Sequence, residues 1–133
     1  MSKGTFATAI NCMDGRVQDP VTRWMRQELG VDYVDMITEA GADSAVALGM
    51  PWQVDSIRKR VGISVEKHHS TAVAVIGHHD CGGNPVSNEA HHDQIRNAVR
   101  IIRSWRFPVR VLGLWVNHLW MVEAICDSPP PGS

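Results

Sequence analysis

Ser70–Gly77 reads STAVAVIG, and the chain runs on from it as His78-His79-Asp80-Cys81-Gly82-Gly83. An apolar run of this length, bounded by polar residues on one side and a glycine-rich turn on the other, is the pattern of a strand covered on both faces. Such strands belong to parallel sheets, and parallel neighbours are joined by crossover helices. The segments on either side are therefore expected to alternate between strand and helix.

They do. Upstream, Thr5–Cys12 (TFATAINC) is a predicted strand. Asp19 and Pro20 then open a helix, the aspartate as its cap and the proline at its first position. Val21, Trp24, Met25 and Leu29 fall on one face of it, and Gly30 ends it. Val31–Thr38 alternates with period two and reads as a strand. A helical region covers Ala42 to about His68, broken at Met50-Pro51. Downstream, Asn88–Arg106 is a helix with Ile95, Ala98, Val99 and Ile102 on one face, and Val109–Val116 is a strand. Trp120–Ile125 reads as a last strand after a turn at Asn117-His118, or as a short helix. The expected fold is α/β and doubly wound: a mainly parallel central sheet of four or five strands with flanking helices. Residues 1–127 are expected to form a single domain, with 128–133 (Pro129-Pro130-Pro131-Gly132-Ser133 at its end) a disordered tail.

Composition narrows the function. At 133 residues and 44% apolar, the chain can build one core, near the size at which a second subunit helps. A formal charge of -1 gives no basis for a nucleic-acid or membrane-surface role. No apolar run approaches the roughly 20 residues of a membrane span, and Met1–Thr5 carries no signal-peptide pattern. Three cysteines in such a chain suggest a reduced, cytoplasmic compartment and favour metal binding over disulfides.

The chemistry sits at two predicted strand ends. Cys12-Met13-Asp14-Gly15-Arg16 closes the first strand, and Gly77-His78-His79-Asp80-Cys81-Gly82-Gly83 closes the buried one. Ligands of doubly wound sheets bind beyond the carboxyl ends of strands, where the strand order reverses. If the two strands are neighbours, Cys12, His78 and Cys81 meet in one crevice and make a thiolate–imidazole–thiolate set suited to zinc. In extended chain Cys12, Asp14 and Arg16 point to one side, which sets Asp14 beside the metal and Arg16 within reach of it. Two thiolates neutralise the zinc charge, so a positioned acceptor would help to favour hydroxide at the fourth position. Asp14 can serve as that acceptor or can itself fill the position. Gly82 and Gly83 are expected to let the backbone pass close to the metal. His79 and Asp80 are candidates for a proton relay or for supporting a ligand.

The pair CMDGR and GHHDCGG resembles the signature pair of the β-class carbonic anhydrases, with Gly15 where that family has serine. Ala40-Gly41-Ala42-Asp43 stands at the family's Ala-Gly-Asn-like turn, in an atypical form. The resemblance implies a zinc enzyme that interconverts carbon dioxide and bicarbonate through zinc-bound hydroxide, and a homodimer or a higher homo-oligomer. Carried over by position, Cys12, His78 and Cys81 bind zinc while Asp14 and Arg16 form a catalytic dyad. Two alternatives stand beside it: a hydrolase of carbonyl sulfide or carbon disulfide at the same site, and a non-catalytic zinc protein with Asp14 as permanent fourth ligand. Among the remaining residues, His91 and His92 are expected to face water at the start of a helix. Cys126 is expected to be a plain buried or tail thiol, and the five tryptophans to lie in the core or an interface.

Overall fold

In the computed structural model, which describes residues 4–132, the elements alternate as the sequence implies. They are β1 (Phe6–Cys12), a 3₁₀ turn (Gly15–Val17), α1 (Gln18–Leu29), β2 (Tyr33–Glu39), α2 (Ala42–Leu48), α3 (Pro51–His68), β3 (Ala72–His78), α4 (Asn88–Ser104), β4 (Arg110–Val116) and β5 (Val122–Ser128). Met1–Lys3 and, from the expected tail, Ser133 lie outside the described residues. No helix among those described is long and apolar enough to cross a membrane.

The five strands form one sheet in the order β2-β1-β3-β4-β5. The first four are parallel, and β5 returns antiparallel to β4. All seven residues of β3 are buried, which is why its sequence shows no alternation. Its neighbours are β1 and β4, so the strand order reverses between β1 and β3. The position at which such a reversal is expected to hold a ligand lies beyond Cys12 and His78, the last residues of those two strands.

Side-chain alternation sends the two faces of the sheet into different cores. Ile10, Val73 and Val75 pack with α2, α3 and α4 through Val46, Ile57, Val61, Ile95 and Ile102. Ala7, Ala9, Ala72 and Ala74 face the other way and meet α1 through Val21 and Met25. The small residues on that face allow a single helix to lie close on the sheet.

One helix start differs from expectation in its cause. Helix α1 begins at Gln18 without a side-chain cap, because Asp14 instead caps the 3₁₀ turn that feeds into it. Asp19 lies in the first turn and pairs with Arg23 at 2.8 Å, while Gly30 takes the left-handed C-cap as expected. Helix α3 starts on Pro51, as the Met50-Pro51 break implies. The last segment is a strand rather than a short helix, and it takes in Ser128, which pairs with Val111.

The largest departure concerns His91, which is 1% exposed rather than facing water. Its Nδ1 meets Asp43 Oδ2 at 2.5 Å, and the other carboxylate oxygen accepts from the Ser44 amide and from Asn84 Nδ2. A side chain at residue 77 would strike that carboxylate, since a Cβ on Gly77 would stand 2.5 Å from Oδ2. Asp43 and His91 are far apart in sequence, and only the packing of α2 on α4 brings them together. Removing the imidazole would leave a fully buried carboxylate short of a donor. His91→Ala is expected to lower folding stability by about 3 kcal/mol, read as a shifted urea midpoint. An unchanged midpoint would contradict a structural role for the pair.

Candidate metal centre

Cys12 ends β1, His78 ends β3, and Cys81 follows in the next turn. All three are buried. Their ligand atoms lie within 4.8 Å of one another, and the two Sγ atoms stand 3.9 Å apart. Two thiolates bound to one tetrahedral ion at roughly 2.3 Å would sit about 3.8 Å apart. The sulfurs are thus already at the spacing that a zinc-sized ion requires.

The imidazole is oriented as well. His78 Nδ1 lies 2.8 Å from the His79 carbonyl, which fixes the proton on Nδ1 and leaves the lone pair on Nε2. Nε2 is buried with no hydrogen-bond partner of good geometry. A buried acceptor that faces two thiols and makes no hydrogen bond of good geometry fits a cation site.

The thiols have opposite acid–base tendencies. Burial raises Cys12, but the nearby His78 ring and the Gly41 and Asp14 backbone outweigh it and bring the thiol down to about 7. Burial and then the charge of Cys12 push Cys81 up to about 11. At 3.9 Å the two cannot share ionisation without a cation to offset the second charge.

The supporting turns fit tightly. Asn11 Oδ1 accepts from the Cys12 amide at 2.8 Å, and its Nδ2 donates to the Val17 carbonyl. Gln18 Nε2 donates to the Cys12 carbonyl at 2.6 Å. Gly82 has open space around it, whereas a Cβ on Gly83 would come within 2.7 Å of the Ala40 backbone. Gly83 therefore lets the Cys81 turn pack on the Ala40–Gly41 turn, and Asn84 links that contact to Asp43.

Asp14 and Arg16 pair by a route other than extended chain. The backbone turns at Gly15, and the Arg16 amide donates to Asp14 Oδ1 at 2.9 Å. The guanidinium then grips the carboxylate along one edge, Nε to Oδ1 at 3.1 Å and Nη2 to Oδ2 at 2.7 Å. These bonds hold Asp14 down at about 2, against the burial that opposes them. Its pairing therefore adds stability above the ordinary carboxylate range, and that stability is lost only as pH falls towards 2.

Asp80 also belongs to this cluster. Arg16 Nη1 lies 3.2 Å from Asp80 Oδ2, and Nη2 donates to the Asp80 carbonyl at 3.1 Å. Asp80 is thus tied to the arginine. His79 acts on His78 through its carbonyl, while its ring lies 6.1 Å from that of His118. Asn11, Gln18, Asn84 and Trp120 carry no sequence signal that marks them as part of a site. A buried asparagine inside a strand is the one hint available, and burial is known only from the fold.

Several solved structures share this architecture. The β-carbonic anhydrase isoform I of Trichomonas vaginalis matches with a TM-score of 0.66 at 16% identity, over 96% of this chain and 87% of that one. A carbonic anhydrase of Streptococcus mutans matches with 0.55 at 15% identity, over 90% and 81%. A tetrameric β-carbonic anhydrase of Sordaria macrospora matches with 0.52 at 12% identity, over 96% and 84%. At these identities the likeness is one of fold. Comparison with curated proteins finds no match. The family model described as "Putative carbonic anhydrase" matches residues 2–126. That match takes in both strand-end motifs and every element from β1 to β4, and the chain belongs to this carbonic anhydrase family.

Proposed function

We propose that this protein is a zinc-dependent hydro-lyase that interconverts carbon dioxide and bicarbonate. The observation that carries the reading is the unpartnered Nε2 of His78 facing two thiols at metal-ligand spacing, next to a carboxylate locked by an arginine. Zinc, when bound, supplies an acidified water as nucleophile.

The residues of the chain do the rest. Cys12 and Cys81 offset the charge of a divalent ion, and the His78 tautomer set by the His79 carbonyl presents Nε2 as the third ligand. Arg16 keeps Asp14 engaged and so keeps it from occupying the fourth position. A carboxylate has about four acceptor sites. Oδ1 accepts from the Arg16 amide and Nε, whereas Oδ2 has one close donor, Nη2 at 2.7 Å, and shares Nε only at 3.3 Å. Oδ2 can turn the weaker of those two directions to the attacking water, accept its hydrogen bond and orient it.

The working unit is proposed to be a homodimer. Met13, Met50, Trp52, Leu119 and Met121 are large, apolar and exposed. All five lie in segments at the carboxyl end of the parallel strands, the end that carries Cys12 and His78. Light scattering is expected to give twice the 14.7 kDa mass of the chain, and a monodisperse monomer at micromolar concentration would count against it. The catalytic reading itself is tested by stopped-flow hydration of carbon dioxide with zinc-loaded protein. No hydration at any pH from about 6 to 9, the span in which a zinc-acidified water ionises, would overturn it.

A further inference from the structure

We propose that Trp120, at the tip of the β4–β5 hairpin, is a positioning residue that clamps Arg16 and so fixes the orientation of the Asp14–Arg16 pair. The catalytic consequence rests on the function proposed above; the clamp itself does not.

The guanidinium of Arg16 is held on more sides than an ion pair needs. Asp14 takes one edge, Asp80 takes another through Oδ2 and its carbonyl, and the Trp120 ring covers a face with its centroid 4.6 Å from Cζ. The Arg16 side chain is nonetheless 49% exposed. Solvent screens half-exposed ion pairs and leaves them weak. Stacking on an indole adds an attraction to the face that hydrogen bonds cannot reach, and it removes that face from water.

Backbone conformation points to the same residues. Among the described residues, four that are not glycine have positive φ: His69, Asp80, Arg106 and Trp120. His69 is the ordinary left-handed cap of α3, and Arg106 follows the end of α4. The other two, Asp80 at 57° and Trp120 at 59°, both touch Arg16. A bulky aromatic residue rarely adopts this conformation, and such outliers persist where the surroundings enforce them.

The turn that enforces it is well braced. The Trp120 amide donates to the Asn117 carbonyl, and the Asn117 amide donates to the Met121 carbonyl. Asn117 Oδ1 accepts from the amides of Leu119 and Met121, and its Nδ2 donates to Glu123 at 2.9 Å. The hairpin thus delivers one aromatic side chain to one place. There the indole lies against Arg16, with its ring centroid 6.4 Å from that of His78, a candidate metal ligand. On this account the antiparallel strand β5 contributes to the site by carrying the return side of the clamp.

The test compares Trp120→Leu, which keeps bulk and loses the π face, with Trp120→Phe, which keeps a smaller one. The first readout is the Arg16 Nε–H signal in NMR spectra of the full-length protein as purified, assigned by its loss in Arg16→Lys. In the unsubstituted protein that signal is expected to be ring-current shifted and slow to exchange. Trp120→Phe is expected to retain part of the shift, and Trp120→Leu to bring it to the averaged position of free arginines. The second readout is hydration of carbon dioxide by zinc-loaded protein. Trp120→Leu is expected to lower it by roughly twofold to thirtyfold, the range that a cation–π contact spans, with Trp120→Phe between it and the parent. An Arg16 signal without ring-current shift in the unsubstituted protein would overturn the clamp, even if Trp120→Leu did not fold. So would a folded Trp120→Leu with the Arg16 signal unchanged. A shifted, protected signal in a protein without hydration activity would uphold the clamp and reject the proposed reaction.

Discussion

Cys81→Ser is expected to lose zinc and, with it, all measurable hydration of carbon dioxide. The two sulfurs at 3.9 Å and the lone pair of His78 form one cradle, and removing a thiolate removes a bond as well as a charge that offsets the ion. Partners that merely support a metal ligand contribute about 10–100-fold in affinity. Loss of a ligand should therefore exceed the top of that range. Serine fits the space but is a poor donor to zinc at neutral pH, since its hydroxyl must lose a far less acidic proton than a thiol. Zinc content after dialysis against a competing chelator measures the effect, and X-ray absorption counts the sulfurs. Stoichiometric zinc with an unchanged sulfur count would rule out Cys81 as a ligand. The same substitution at Cys126 should change nothing in either measurement, because that thiol packs against the α4 side of the sheet, away from the three candidate ligands.

Arg16→Ala and Asp14→Asn are each expected to keep zinc and to lower hydration by at least about 10²-fold, the low end of what a positioned proton-handling group contributes. The two fail for different reasons. Without the guanidinium, only the residue-16 amide still holds the Asp14 carboxylate, which is then expected to swing to the metal and fill the open position. With asparagine at 14 the position stays open, but the acceptor on Oδ2 that would orient the attacking water is gone. Cobalt substitution separates the cases: Arg16→Ala should lose the spectral change that follows water exchange, and Asp14→Asn should keep it. The Asp14 carboxyl sits near 2, so the dyad does not change charge between pH 6 and 9. Any pH dependence of hydration by the parent protein in that window should then survive, at reduced amplitude, in a dyad variant that retains zinc and an open position. Hydration equal to the parent in either variant would exclude the dyad mechanism.

Much of the fold was legible because its signals are local. The apolar run of β3, the period-two pattern of β2, the helical spacing of Ile95, Ala98, Val99 and Ile102, and the Met50-Pro51 break each depend on residues close in sequence, and each element stands where expected. Local capping was less legible. Asp19 has the chemistry of a cap, but Asp14 reached the preceding turn first, and a competition between two aspartates is decided by backbone path. The Asp14–Arg16 pair was expected from extended chain and is made instead across a 3₁₀ turn. The outcome is the same because a two-residue separation lets the arginine fork reach its carboxylate in either conformation.

The three candidate ligands could be named in advance because thiol and imidazole types at two strand ends are chemically distinctive, and because a doubly wound sheet offers one place for such ends to meet. That they do meet is a consequence of β1 lying beside β3, a pairing between residues 65 apart in sequence, such as Thr8 and Val73. Long-range packing likewise decided the burial of His91 against Asp43, the use of Gly83 to seat one turn on another, and the placement of Trp120 over Arg16. Nothing in the residue types at those positions marks them, since a histidine, a glycine or a tryptophan is at home in many settings. Residue chemistry and local periodicity set which groups are available and which element carries each. Which of them share a buried volume is set by how the helices pack on the two faces of the sheet, and there the dehydration of distant side chains makes an imidazole a structural partner and an indole a clamp.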